Sequence, residues 1–156
     1  IEKDKILCAT VSDAVGVPVT SATQAVTDWF RVAGVTKFGL VTPYMGDMQT
    51  QIMEKYAEAG FKCVGEAHLG RDDVFTYAAI GDKIWSDLIR EVASSEPQAI
   101  TTMCTNISGA PLADSMERET GIPLIDSISA SLWATMRLAG TDPARIRGWG
   151  RMFTAA

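Results

Sequence analysis

The sequence predicts an α/β protein with parallel strands, and three features of its pattern support this prediction. Short apolar stretches typical of buried strands alternate with longer stretches whose apolar residues recur at helical spacing. Helical connections of about ten residues or more favour parallel pairing with right-handed crossovers. Glycines close most of the helical stretches, where a chain commonly leaves a helix.

The first residues predict a helix that is already in progress where the sequence starts. Apolar residues recur at helical spacing in Ile6, Leu7 and Val11. The pattern ends at Gly16, shortly before Pro18. Because a compact domain does not usually begin inside a helix, and no initiator Met is present, we expect a preceding segment to belong to the same fold.

The remaining elements alternate along the chain. Strands are predicted at residues 17–20, 37–41, 61–68, 99–104 and 122–126. Helices are predicted at residues 22–33, 46–59, 73–93, 111–120 and 127–138, the third with a break near Gly81. Ligands of parallel α/β sheets bind beyond the carboxyl ends of the strands, so the residues that follow these strands are the candidates for a site.

Two parts of the chain resemble each other. Gly-x-Pro motifs at residues 16–19 and 121–124 precede Arg-x-Ala-Gly motifs at residues 31–34 and 137–140, at nearly the same separation. Gly-Pro sequences are common at the start of strands, which is the alternative explanation. An internal duplication explains the shared register better, and it predicts that the counterpart of the strand before Cys104 precedes the first residue.

Composition and charge restrict the class of partner. A chain of 156 residues, 47% of them hydrophobic, is long and apolar enough for an ordinary globular domain. Its net charge of −5 argues against nucleic acid and anionic membrane surfaces as partners. No apolar run approaches the ~20 residues that span a bilayer, and without a signal segment we expect a cytoplasmic protein. Arg145, Arg147 and Arg151 form the one basic concentration, which we expect in a solvated C-terminal tail.

The cysteines predict reduced thiols, since there are three of them and none forms a Cys-x-x-Cys pair. Cys8 on the first helix and Cys63 within a strand fit buried structural positions. Cys104 differs because the polar residues Thr105 and Asn106 follow it before the next helix. Free amide N–H groups and the positive end of a helix dipole at such a strand end favour a thiolate and attract a carboxylate. An inert buried cysteine is the alternative, which this polar surrounding disfavours.

Other strand ends supply candidates at the same edge of the sheet. Thr42 and Tyr44 follow the strand at residues 37–41, and the Tyr44 phenol could donate to a carboxylate or simply cap the sheet. Asp73 fits a helix N-cap that also faces the site. His68 could pair with Cys104, although a lone histidine at a strand end is more often structural. The sequence contains no phosphate-binding loop, metal-ligand cluster or Gly-x-Ser-x-Gly elbow.

An ordered set of motifs resembles one family along essentially the whole chain. The motifs are Val41-Thr42-Pro43-Tyr44, Ala59-Gly60-Phe61, Cys104-Thr105-Asn106, Gly121-Ile122-Pro123 and Leu132-Trp133-Ala134-Thr135-Met136-Arg137-Leu138-Ala139-Gly140. Together they resemble the maleate cis-trans isomerase and arylmalonate decarboxylase branch of the aspartate/glutamate racemase superfamily. The resemblance implies two pseudo-symmetric Rossmann-like lobes, an active site between them, and no metal or organic cofactor.

The resemblance also implies roles for individual residues. Cys104 matches the second of two catalytic positions, the first of which would precede residue 1. Thr42 and Tyr44 would bind a substrate carboxylate, and the backbone around Thr105 and Asn106 would cradle an anion. Cys104-Thr105-Asn106 is more similar to the isomerases than to the Cys-Gly-Gly of the decarboxylases. Asp73 departs from the Asn expected in the isomerases, and a carboxylate there repels a dicarboxylate unless it is protonated or turned away.

These implications define a hypothesis with open alternatives. The hypothesis is a cofactor-independent, cysteine-based isomerase of a small dicarboxylate, of the maleate to fumarate type. Arylmalonate-type decarboxylation or amino-acid racemisation, with Cys104 as the proton donor, is a second interpretation. A truncated, inactive carboxylate-binding remnant is a third, and we expect the chain alone to have little activity and to aggregate. Whether it forms a homo-oligomer stays open.

The domain organisation follows from the same resemblance. We expect residues 1–34 to be the remnant of a first lobe and residues 35–127 to form a second lobe carrying Cys104. Residues 128–156 would supply a C-terminal helix and tail that pack back toward the first lobe.

Overall fold

The computed structural model describes residues 1–154, and it confirms the α/β class. Four strands form a parallel sheet within these residues, in the order β2-β1-β3-β4. The strands are β1 (Lys37–Thr42), β2 (Lys62–His68), β3 (Ala99–Thr102) and β4 (Leu124–Asp126). Each successive pair is connected through a helix, as parallel pairing requires.

The helices lie close to their predicted positions. They are α1 (Glu2–Val15), α2 (Ala22–Val32), α3 (Gly46–Glu58), α4 (Asp82–Ala93), α5 (Ala113–Thr120) and α6 (Ser127–Leu138). Short 3₁₀ segments lie at Val74–Ala79, Ala110–Leu112, Pro143–Arg145 and Arg151–Phe153. The helical stretch predicted at residues 73–93 is therefore divided into a 3₁₀ segment and α4, and its predicted break at Gly81 is confirmed. None of the described helices has the length and apolarity needed to cross a membrane.

The strand predicted at residues 17–20 is wrong. These residues are irregular and pair with none of the four strands. The similar motif at residues 121–124 does lead into a strand, because Leu124 lies in register beside Ile100 of β3. A strand depends on a neighbouring backbone, which a local motif does not encode. The repeat persists in the helix ends, since Gly16 and Gly121 both close a helix in the left-handed conformation, at φ 72° and 76°.

The sheet separates two apolar layers, as the alternating side chains of β1 show. Phe38 and Leu40 face a core that includes Phe30 of α2 and Trp133 of α6. Val41 faces the opposite core, which includes Trp85, Ile89 and Ile100. Burying both faces of the inner strands fixes the register of the sheet and holds their carboxyl ends in place.

The C-terminal segment is buried at Met152 and Phe153, so the prediction of a solvated tail is wrong there. Trp29 Nε1 donates to the Met152 carbonyl oxygen at 3.0 Å. Glu117 Oε2 accepts hydrogen bonds from Arg151, from its backbone N–H at 2.8 Å and from Nε at 3.3 Å. Arg145 is exposed, as expected. The tail therefore closes the core between α2, α5 and α6.

Candidate functional site

The strand order places a crevice between the ends of β1 and β3. From β1 the chain turns outward to β2, and it then crosses back to β3 on the other side of β1. At such a reversal the connections diverge and leave an opening beyond the carboxyl ends of the strands. Tyr44 follows β1 and Cys104 follows β3, so the sheet brings these two predicted residues together.

Cys104 and Tyr44 are neighbours in this crevice. The Cys104 side chain is 8% exposed, and its Sγ accepts a hydrogen bond from the backbone N–H of Asn106 at 3.4 Å. Burial and the neighbouring Cys104 thiol raise the pKa of Tyr44 above its ordinary value. The phenol therefore stays protonated at neutral pH and can act as a hydrogen-bond donor. Tyr77 packs edge-on against Tyr44, with ring centroids 6.1 Å apart.

Cys104 lies in the wall of a cavity of about 290 Å³. The cavity is also lined by polar residues at the sheet edge and on α2, namely Tyr44, Thr105, Ser127 and Thr23. Its remaining wall is made of small or apolar side chains from α2, α3 and the end of β3: Ala22, Val26, Met48, Ile52 and Met103. A small molecule with a polar group near the thiol and an apolar part toward α3 fits this arrangement.

A second cavity, of about 460 Å³, lies at the outer edge of β2 and includes Cys63 in its wall. Cys63 Sγ donates to the Gly65 carbonyl oxygen at 3.3 Å. Burial raises the pKa of Cys63 to about 11, so little thiolate forms there near neutral pH. Cys8 is buried on α1. The predicted burial is therefore confirmed for Cys8, whereas Cys63 is half-buried against the core and also lines this cavity.

Thr42 fixes the backbone of Tyr44 through its hydroxyl group. The Thr42 hydroxyl accepts from the Tyr44 backbone N–H at 3.2 Å and donates to Gln49 Oε1 at 2.6 Å. Gln49 Nε2 donates to Glu66 Oε2 at 2.9 Å, and His68 Nδ1 lies 2.9 Å from the same oxygen. The hydroxyl of Thr42 is therefore engaged inside the protein, where it fixes the turn that carries Tyr44. His68 belongs to this network through Glu66 and is a structural residue in this arrangement.

Asn106 and Asp73 organise the segment beside the cavity and are not part of its lining. Asn106 Nδ2 donates to the Val74 carbonyl oxygen at 2.7 Å. Asp73 Oδ1 accepts from the Phe75 backbone N–H at 3.0 Å and caps the Val74–Ala79 segment, as an N-cap prediction requires. The Asp73 carboxylate is thus hydrogen-bonded to the backbone beside the cavity. The predicted repulsion of a dicarboxylate assumed that it faces the site.

Asp126 is a site-supporting residue that sequence reasoning missed. It is fully buried at the end of β4, and its Oδ1 accepts from the backbone N–H groups of Ile128 and Ser129 at 2.9 and 3.2 Å. Its Oδ2 accepts from the Thr102 hydroxyl at 3.0 Å, and burial raises its pKa. A Cβ on Gly109 would lie 2.5 Å from Asp126 Oδ2. Glycine at position 109 therefore lets the loop after Cys104 pack directly on the hydrogen-bonded side chains of Asp126 and Thr102.

Comparison with known proteins connects this geometry to a family. A family model described as "Arylmalonate decarboxylase" matches residues 2–153. The chain belongs to the arylmalonate decarboxylase family. This finding confirms the resemblance that the ordered motifs indicate.

Two curated relatives show the range of reactions around this family member. The arylmalonate decarboxylase of Bordetella bronchiseptica is 28% identical over 149 residues, which cover 94% of this chain and 62% of that protein. The maleate isomerase of Nocardia farcinica (strain IFM 10152) is 25% identical over 135 residues, covering 86% of this chain and 53% of that protein. The chain thus spans a little over half of the length of these relatives.

Solved structures agree with the family fold. A crystal structure of an arylmalonate decarboxylase superposes with a TM-score of 0.89 at 25% identity, covering all of this chain and 69% of that one. A mutant of the Nocardia farcinica maleate cis-trans isomerase superposes with a TM-score of 0.90 at 23% identity, covering 98% of this chain and 64% of that one. The parallel sheet and its helices are therefore the family's architecture.

Proposed function

We propose that this chain carries the Cys104 half of an active site for cofactor-independent chemistry on a small dicarboxylate, of the maleate to fumarate type. The observation that carries the proposal is that Cys104 and Tyr44 lie side by side in the crevice between the ends of β1 and β3. The Cys104 thiol accepts a hydrogen bond from the Asn106 backbone N–H, and it lies beside the Tyr44 phenol, which stays protonated. A thiol and a neutral donor beside each other suit proton transfer next to a bound carboxylate.

The proposed reaction proceeds by binding, addition, rotation and elimination. Tyr44 donates a hydrogen bond to one substrate carboxylate, and a nucleophile that we expect outside this segment adds to one carbon of the double bond. Cys104 gives its proton to the other carbon, which leaves a single bond that can rotate. Cys104 then removes a proton as the bond to the nucleophile breaks, so both groups return to their starting state. Positioned general acid–base catalysis of this kind is worth about 10²–10⁴ in rate.

The relatives support thiol chemistry of this type. The Nocardia farcinica isomerase mutant is described with a covalently bound succinylcysteine intermediate, which is a cysteine joined to a four-carbon dicarboxylate. The sequence Cys104-Thr105-Asn106 points to the isomerases as well. Asp73 is not part of the cavity lining and its Oδ1 accepts from the Phe75 backbone N–H, which is compatible with a carboxylate turned away from a bound dicarboxylate.

Decarboxylation of a malonate-type acid is the second candidate, and the apolar wall of the cavity favours it. Val26, Met48 and Ile52 offer a surface for an aryl or alkyl substituent. The family model and the relative at 28% identity also carry the decarboxylase name. In this reaction loss of CO₂ leaves an enediolate, and Cys104 would donate its proton to the carbon that lost the carboxyl group.

The test uses the full-length protein that contains this segment. Wild type, Cys104→Ala and the matched control Cys63→Ala are incubated with maleate, while fumarate is followed by NMR, and with phenylmalonate, while CO₂ is followed. Fumarate formation that is lost in Cys104→Ala and kept in Cys63→Ala supports the isomerase. CO₂ release with the same dependence supports the second candidate. Equal turnover in both variants would show that the reacting thiol lies elsewhere.

A further inference from the structure

Ser127 has a buried hydroxyl that the structure leaves unpartnered. It is the first residue of α6 and is 2% exposed. Its Oγ has no hydrogen-bond partner anywhere in residues 1–154. A buried hydroxyl without a partner costs free energy, so such groups commonly mark a ligand or functional position. Ser127 also lines the cavity that contains Cys104.

The register of the sheet explains why Ser127 reaches this cavity. Thr102 of β3 lies beside Asp126 of β4, so the residues that follow these two strands emerge next to each other. In the order β1-β3-β4, Cys104 follows the middle strand, while Tyr44 and Ser127 follow the strands on either side. Two hydroxyl donors therefore flank the thiol along the edge of the sheet.

The electrostatic setting of Ser127 favours an anion. It begins a helix of 12 residues, and the amino end of a helix carries a partial positive charge. Asp126 already caps this helix through Ile128 and Ser129, which leaves the Ser127 hydroxyl unused by the cap. The other buried unpartnered groups, on Tyr56, Trp85 and Trp133, belong to aromatic rings in the two cores. Only Ser127 in this set combines a helix start with the Cys104 cavity.

We propose that the Ser127 hydroxyl binds a carboxylate oxygen of the ligand, on the side of Cys104 opposite Tyr44. A short dicarboxylate would then span the thiol, with one carboxylate at Tyr44 and the other at Ser127. This assignment rests on the proposed function for the identity of the substrate, and it adds a binding residue that distinguishes dicarboxylates from monocarboxylates. Ser127 holds the ligand and transfers no proton.

Binding is measured by calorimetry with malonate and succinate, against acetate, in the full-length protein carrying Cys104→Ala so that no reaction occurs. Ser127→Ala is expected to weaken dicarboxylate binding about tenfold or more, because a hydrogen bond to a charged group is lost. Ser127→Thr, which keeps a hydroxyl, is expected to bind more tightly than Ser127→Ala. Ser131→Ala, one turn further along α6, is the matched control and is expected to bind like the parent. Acetate affinity is expected to change less than dicarboxylate affinity.

Thermal unfolding separates binding from packing. Ser127→Ala is expected to keep or raise the unfolding midpoint, because no internal hydrogen bond is lost. Unchanged dicarboxylate affinity in Ser127→Ala would overturn the assignment, whatever happens to the unfolding midpoint. If Cys104→Ala abolishes turnover while Ser127→Ala binds normally, the assignment fails and the proposed function stands. If Cys104→Ala turns over normally while Ser127→Ala loses binding, the proposed function fails and the carboxylate site stands.

Discussion

Asn106 joins the Cys104 loop to the backbone of Val74. Its Nδ2 donates to the Val74 carbonyl oxygen at 2.7 Å, while its own backbone N–H donates to Cys104 Sγ at 3.4 Å. One residue thus contacts both the thiol and the 3₁₀ segment Val74–Ala79. The adjoining Phe75 is 90% exposed, so this segment has little apolar packing to hold it at that point.

Asn106→Ala is expected to loosen the Val74–Ala79 segment. It removes a hydrogen bond worth about 1 kcal/mol but keeps the backbone N–H that faces Cys104. Amide hydrogen exchange, read by mass spectrometry, should therefore become faster in peptides covering this segment and stay unchanged in α4. Asp73→Ala, which removes the cap of the same segment, provides the comparison. Identical exchange in Asn106→Ala and wild type would show that the hydrogen bond does not hold the segment.

As the pH becomes alkaline, the Tyr44→Phe variant is expected to lose less stability than wild type. The folded-state pKa of Tyr44 is raised above the unfolded value of about 10. As the pH rises past 10 the unfolded state loses this proton first, so the free energy of unfolding falls. The phenylalanine variant lacks this loss, and its unfolding midpoint relative to wild type should rise between pH 8 and 11. A difference that does not change with pH would contradict the raised pKa.

Asp126 predicts a pH dependence in the acid range. Burial raises its folded-state pKa, so its stabilising contribution is present below about pH 3.9 and is lost as the pH rises through the raised value. Asp126→Asn keeps an acceptor for the Ile128 N–H and should gain stability relative to wild type from pH 4 to 7. Asp126→Ala loses the helix cap and should cost about 1–2 kcal/mol throughout. Chemical denaturation at several pH values checks both expectations. If wild type instead became more stable relative to Asp126→Asn from pH 4 to 7, the raised pKa of Asp126 would be contradicted.

Glu117 is expected to matter more for stability than its partner Arg151. The Glu117 side chain is 4% exposed and accepts from the Leu124 and Arg151 backbone N–H groups, whereas the Arg151 side chain is 50% exposed. Glu117→Ala leaves two backbone donors without a partner and should cost about 3 kcal/mol in urea unfolding. Arg151→Ala keeps both backbone bonds and should cost about 1 kcal/mol or less. Equal costs would mean that the guanidinium, and not the backbone, anchors the tail.

The rule about strand ends predicts which residues lie together at one edge of the sheet. Tyr44 and Cys104 are separated along the chain, yet parallel pairing of their strands is sufficient to place them together. Ser127, which we propose as a binding residue, follows β4 and obeys the same rule, so its position directly after the predicted strand makes it a candidate. It was missed because serine at a helix start usually reads as part of a cap.

Other features depend on contacts between distant residues, which local patterns do not encode. The apolar residues at positions 17–20 look like a strand, but none of the four strands found in residues 1–154 pairs with them. The burial of Met152 depends on Trp29 and Glu117, which a basic tail sequence does not reveal. The side chain of Asn106 reaches Val74 only because the loop after β3 passes the 3₁₀ segment. The roles predicted for Thr42 and Asn106 are therefore refined by partners that the sequence alone does not identify.

The most direct measurement is the alkylation of each cysteine in the full-length protein, followed by peptide mass spectrometry with and without succinate. Cys104 is expected to react faster than Cys63, whose raised pKa of about 11 limits its thiolate. Saturating succinate should slow the labelling of Cys104 by about tenfold or more and leave Cys63 unchanged. Faster labelling of Cys63, together with Cys104 labelling that succinate does not affect, would contradict the assignment of Cys104 to the site.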